Sequence, residues 1–201
     1  MRKIFIILAA LALALPTAVF AGSSIDYTNV GGSLMGSNGG LSLTGSVLVS
    51  VNGPNGLITG PDLGSVTFQT GQLTSGSLKL GGTFAAGGSF TITGNGTNGI
   101  PNGTLFQGTF SGPATWTLIT LSNGTHSYTL TGSLTGTTGS GMSTVATTIQ
   151  LSVNTGKGFF KGCTKLSSGD TNVVVPEPGT LGLLGTGLIG LAGVVRRKIN
   201  T

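Results

Sequence analysis

Apolar and polar residues alternate through the middle of the chain. In LSLTGSVLVSV, Leu41, Leu43, Val47, Val49 and Val51 share one parity, and Ser and Thr fill most of the other. Leu78, Leu80 and Phe84 form a second run, which Phe90 and Ile92 continue in SFTIT. Ala114, Trp116 and Leu118 follow, then Tyr128, Leu130 and Leu134, then Val145, Ile149, Leu151 and Val153. A period of two is the mark of a sheet with one wet face. Between Gly22 and Val175 no window carries a sustained apolar stripe at helical spacing. The pattern predicts an all-β body, an antiparallel glycine-rich meander forming a sandwich, roll or barrel. An irregular β-solenoid is the alternative, because Gly-Ser-Leu and Thr-Gly-Ser recur; their uneven spacing weighs against it.

The breaks support this reading. Asn-Gly begins at Asn38, Asn52, Asn55, Asn95, Asn98, Asn102 and Asn123, a dipeptide suited to tight hairpins. Pro54, Pro61, Pro101 and Pro113 are expected in loops. For the hairpin at Asn123, a three-residue loop of Asn123, Gly124 and Thr125 pairs Leu118 with Leu130 and Trp116 with Gly132. That register collects Trp116, Leu118, Tyr128 and Leu130 on one face, whereas a two-residue loop does not. Phe84, Phe90, Phe106, Phe110, Trp116 and Tyr128 mark the expected centre of the core. The strands of Gly22–Leu63, poorer in large side chains, are expected at its periphery.

The two ends differ from the body. Arg2 and Lys3, the apolar run Ile4–Leu15 and a small-residue exit read as a signal peptide over 1–21, cleaved after Ala21 or, as an alternative, Ala18. The expected body is 22–168, followed by a linker at 169–178. A transmembrane segment at 179–195 comes next, uncharged from Leu181 to Val195, and then a basic cytoplasmic tail at 196–201. Fifteen helical residues rise about 22 Å, short of the usual span. Snorkelling by Arg196, Arg197 and Lys198 makes a marginal crossing feasible. Those basic residues favour a cytoplasmic C-terminus, with the body on the other side. Pro176 and Pro178 hold Val175 and Glu177 extended just before the apolar run, a form that a processing enzyme can grip.

The stretch VPEPGTLGLLGTGLIGLAGVVRRK, Val175 to Lys198, closely resembles the PEP-CTERM sorting signal of Gram-negative bacteria. The motif Val175, Pro176, Glu177 and Pro178, the apolar run and the basic cluster occur in the family's order, on a chain with a signal peptide. The resemblance implies recognition by an exosortase, a membrane-embedded cysteine protease, with removal of the tail. Delivery to the outer surface or extracellular matrix would follow. Tails of this family also carry the label of an ice-binding protein C-terminal domain, which says nothing about the body.

Charge and chemistry narrow the remainder. The net charge of +5 is concentrated at the ends, while Lys79, Lys157, Lys161 and Lys165 oppose Asp26, Asp62 and Asp170 in the body. Nucleic-acid binding is therefore not expected, because phosphate neutralisation needs clustered cations. Cys163 is the only cysteine, so no internal disulfide can form, and it reads as a buried small hydrophobe or an inert thiol. His126, expected on the surface beside a turn, has no evident triad partner. The three aspartates look isolated, so neither a glycosidase pair nor a calcium loop emerges. No catalytic, metal or cofactor site is expected, and the protein reads as a non-enzyme.

The expected partners are signal peptidase, an exosortase, the lipid bilayer and extracellular polysaccharide. The protein would be anchored in the inner membrane before processing and then lie at the outer surface or outside the cell. A hydroxyl-rich structural scaffold is the leading reading, and a glycan- or ion-binding module the alternative. Exposed aromatics would favour the module; buried ones favour the scaffold. Ice binding is weaker, since Thr-x-Thr at Thr91, Thr115 and Thr129 falls at uneven spacing.

Overall fold

The computed structural model describes residues 22–176 and Gly187. Ser24–Val175 forms one compact unit; the other, Met1–Ser23 with Pro176–Thr201, falls almost wholly outside the described residues. The expected signal peptide and most of the expected transmembrane segment lie there too. Among the described residues no helix is long and apolar enough to cross a membrane.

Thirteen strands make up the body. They are β1 (Gly22–Val30), β2 (Ser33–Ser37), β3 (Gly40–Gly53), β4 (Gly56–Gln69), β5 (Leu73–Ser77), β6 (Gly81–Phe84) and β7 (Gly87–Asn95). The second half holds β8 (Asn102–Phe110), β9 (Ala114–Thr120), β10 (His126–Thr138), β11 (Ala146–Gly156), β12 (Cys163–Lys165) and β13 (Ser168–Pro176). The sheet runs β11-β13-β1-β3-β4-β7-β8-β10-β9-β6-β5, and β2 and β12 branch from β3. β10 also pairs with β11, which draws the two halves of the path together. The path still runs on through β9 and β6 to its end at β5, so the sheet is a branched roll and not the closed barrel that the sequence left open. One buried cluster takes side chains from both halves, including Val173, Leu48, Phe68, Phe106, Trp116 and Leu151. An antiparallel sheet with one apolar face can bury it by curling round it.

The six aromatics expected at the centre are there, none more than 2 % exposed. Trp116 and Tyr128 stack at 4.9 Å, and Phe160 meets Trp116 edge-on at 5.5 Å. Both polar tips are satisfied: the indole Nε1 donates to the Leu78 carbonyl, and the Tyr128 hydroxyl donates to that of Lys79. Leu80, expected to share the buried run of Leu78 and Phe84, is instead 66 % exposed between those anchored carbonyls and β6.

Elsewhere the backbone departs from simple alternation. In β3 the inward parity changes at Gly45, whose φ of +66° opens a bulge between Leu43 and Ser46. Leu41 and Leu43 face inward before it and Leu48 after it, so Val47 and Val49 are only half-buried. Pro61 lies within β4, not in a loop. Residues 60–63 stand against the single residue Val49, so the proline interrupts no ladder, and Leu63 turns fully into the core. β1 to β4 are consequently not peripheral: Tyr27, Leu34, Leu41, Leu43, Leu48 and Leu63 all belong to the core.

The hairpin between β9 and β10 pairs Trp116 with Leu130, Leu118 with Tyr128 and Thr120 with His126. Its three-residue loop is Ser122, Asn123 and Gly124, closed by Leu121 N–H to the Thr125 carbonyl. Gly124 has φ +78°, and the left-handed residue comes last in this loop type. The pairing is thus displaced by two residues from expectation, which leaves the same side chains on the same face. Gly82 of β6, not Gly132, faces Trp116 across the next ladder.

The expected linker at 169–178 is a strand through Pro176. β13 lies between β1 and β11, with Thr171, Val173 and Val175 buried. Alternation of Thr171, Val173 and Val175 with Asp170, Asn172 and Val174 is what makes it one. Glu177 and Pro178 lie outside the described residues.

The bulge at Gly45 separates two neighbouring side chains energetically. Leu48→Ala is expected to cost about 2–5 kcal/mol and Val49→Ala less than about 1 kcal/mol in urea unfolding. Equal losses would contradict the change of parity.

Candidate polar groove on the outer sheet face

Where apolar residues alternate inward, their neighbours form rows across the outside of the sheet. One row runs Thr115–Thr131 across β9 and β10, Thr131–Gln150 into β11 and Gln150–Asp170 into β13. It reaches β1 through the Thr28 hydroxyl, which donates to Asp170 Oδ1 at 2.9 Å. The adjacent row runs Ser133–Thr148–Asn172, and the Asn172 amide donates to Asp26 Oδ1. A groove of about 530 Å³ lies along these rows.

The two bonds between β1 and β13 set a register in which Asp26 and Asp170 are diagonal neighbours on one face. Such positions lie about 7–8 Å apart. Each carboxylate has one oxygen engaged by a neighbouring strand, and neither has an ion-pair partner among the described residues. The groove therefore offers free carboxylate oxygens, an amide at Gln150 and several hydroxyls, with no cation along its walls. That set can hydrogen-bond a polyhydroxylated chain.

Reading the residues one at a time left Asp26 and Asp170 isolated. Pairing of the first and last strands brings them together from opposite ends of the body. The alternation Asp-x-Thr at 26–28 and Asp-x-Asn at 170–172 is the available signal, and a linker at 169–178 hides it.

Asp62 does something else. Its Oδ1 accepts from the Gly64 N–H at 3.0 Å and from Asn95 Nδ2 at 3.1 Å, and its carbonyl accepts from Asn95 and from Thr97 Oγ1. Those donors fix Oδ1 and the carbonyl, so Asp62 ties the β4 bulge to the end of β7. Among the described residues no group of three or more His, Cys, Asp or Glu is placed to hold a metal.

His126 is half-buried, stacked on Phe159 at 4.3 Å, with Thr120 Oγ1 3.0 Å from Nδ1. Lys79 Nζ lies 4.7 Å from the centre of the same ring. Cys163 is exposed on β12, 3.6 Å from Ser33 Oγ. Neither the imidazole nor the thiol is bonded to a carboxylate that would orient a catalytic pair. Two Thr-x-Thr pairs do meet: Thr115 opposes Thr131 and Thr117 opposes Thr129. The third is on β7, beside Ser65 and Thr67 of β4.

Residues 174–198 match the family model described as the PEP-CTERM protein-sorting motif. The chain carries a PEP-CTERM sorting motif. Comparison with curated proteins and with solved structures found no match. The PEP-CTERM match begins inside β13: Val174 pairs with Ala146, Val175 is 5 % exposed, and Pro176 ends the strand. Glu177, Pro178, Arg196, Arg197 and Lys198 lie outside the described residues.

Beneath the groove, Tyr27 points inward between Asp26 and Thr28, and burial pushes its hydroxyl up to about 12. The unfolded chain ionises first, near pH 10, so the stabilisation holds below about pH 10 and is lost between about 10 and 12. At pH 11 the protein should be less stable by about 1 kcal/mol on this account. Tyr27→Phe should remove that part of the decline; an unchanged alkaline profile would refute the assignment.

Proposed function

We propose that this all-β, PEP-CTERM-bearing chain is a non-enzymatic surface or matrix protein whose outer sheet face contacts extracellular polysaccharide. The sorting motif at 174–198 carries the first part. A signal peptide over 1–21 starts export, and the apolar segment at 179–195 holds the chain in the inner membrane. Arg196, Arg197 and Lys198 keep the tail cytoplasmic. An exosortase then acts at Val175, Pro176, Glu177 and Pro178 and frees the body for the outer surface or extracellular space.

The groove supports the second part. Its amide, hydroxyl and carboxylate groups suit the dense donors and acceptors of a sugar chain. Its rows cross the strands at the inter-strand spacing of about 4.8 Å, close to the rise of one hexose in an extended polymer. Sheet twist limits that match to a few strands, so contact is short and repeated along a polymer. Stacking on aromatics is not part of it, because the six central rings are buried. This favours a scaffold that adheres through many weak polar contacts. Ice binding is disfavoured, since the hydroxyl rows pass from threonine into Gln150 and Asp170.

Replacing Pro176, Glu177 and Pro178 with alanines should leave export intact and stop C-terminal processing, read as retention of a membrane-bound, full-length species. Unaltered tail removal in that variant would refute exosortase recognition.

A further inference from the structure

We infer that the groove between β1, β13, β11 and β10 selects sugar polymers bearing free amines over neutral or acidic ones. The inference rests on the polysaccharide reading above and names the class of polymer. Its basis is the placement of charge. Asp26 and Asp170 are two of only three carboxylates between Gly22 and Val175, and pairing of the first and last strands sets both on one face. Like charges placed as diagonal cross-strand neighbours repel, and none of the body's four lysines lines the groove to offset them. Asn172 and Thr28 each satisfy one carboxylate oxygen with a neutral donor, which leaves the negative charge uncompensated.

A cationic partner relieves that repulsion. The groove's volume of about 530 Å³ and its lining by Gln150, Thr131 and Thr148 suit a sugar ring carrying an ammonium better than a bare metal ion. Calcium takes six to eight oxygens, commonly from several carboxylates, and here there are two, each partly engaged. An acidic polymer would meet the same two charges as repulsion. Overall charge does not produce the preference. The chain carries +5, so a polycation is attracted only where negative charge is locally concentrated.

The test uses the full chain in detergent, with affinity measured for three probes: a glucosamine oligomer, its fully N-acetylated counterpart and an alginate oligomer. At low salt and about pH 6 the amine form should bind about tenfold tighter than the acetylated form, and the difference should shrink in high salt. Asp26→Asn with Asp170→Asn keeps both acceptor oxygens for Asn172 and Thr28 and should abolish the preference. Gln150→Arg, at an exposed position opposite Asp170, should abolish it by placing a cation in the groove without replacing either aspartate. Asp62→Asn, outside the groove, should leave the preference unchanged.

Equal affinity for the amine and acetylated forms would overturn the inference and leave polysaccharide contact standing. Absence of binding to all three probes would overturn both. Tight binding of calcium alone, lost in the double variant, would assign the groove to a metal and likewise overturn the inference.

Discussion

The pairing of the first strand with the last governs this body. β13 lies between β1 and β11, so the sheet is incomplete until residues next to the sorting motif have taken their place. Its inward side chains, Thr171, Val173 and Val175, complete the core beside Tyr27 and Ile149. Its outward ones, Asp170 and Asn172, build the groove. Continuing the same register sets Ser24 opposite Val174. Ser24 and Val174, where the match to the sorting motif begins, therefore lie at one end of the same strand pair.

With so few charged residues, inside and outside are distinguished by size and hydroxyl content more than by charge. Threonine and serine serve the wet face because they form strands well and tolerate water. The large rings supply the interior, and their polar tips are used internally: Tyr128 OH bonds Lys79 and accepts from the Phe160 N–H, which fastens two loops over the aromatic stack. Asp62 holds the β4 bulge in the same manner. Against this neutral background, two uncompensated carboxylates on one face stand out chemically.

Much of this was legible in the sequence, and each failure has a physical origin. Alternation at Phe90, Ile92, Trp116, Tyr128, Leu130, Ile149, Leu151 and Val153 correctly marked an inward face, because those strands run without interruption through these positions. Alternation misled at β3, where Gly45 inserts a bulge, and Pro61 misled at β4, where residues 60–63 bulge within the strand; one extra residue reverses parity, and composition alone does not locate it. At Asn123 the face was right and the register displaced by two, since the left-handed glycine ends the loop. β13 was missed because the adjacent Pro-Glu-Pro drew the reading toward an extended linker. That loss also concealed the groove, whose two carboxylates meet only through a pairing between opposite ends of the chain. The sorting motif needed no tertiary structure to be read.

Hydrogen exchange of the backbone amides in residues 169–175, measured on the full chain, tests the role of β13 most directly. Exchange as slow as that of β10 would agree with a strand integral to the sheet. Exchange at the rate of an unprotected peptide would restore a linker there, and both the completed roll and the carboxylate groove would fall with it.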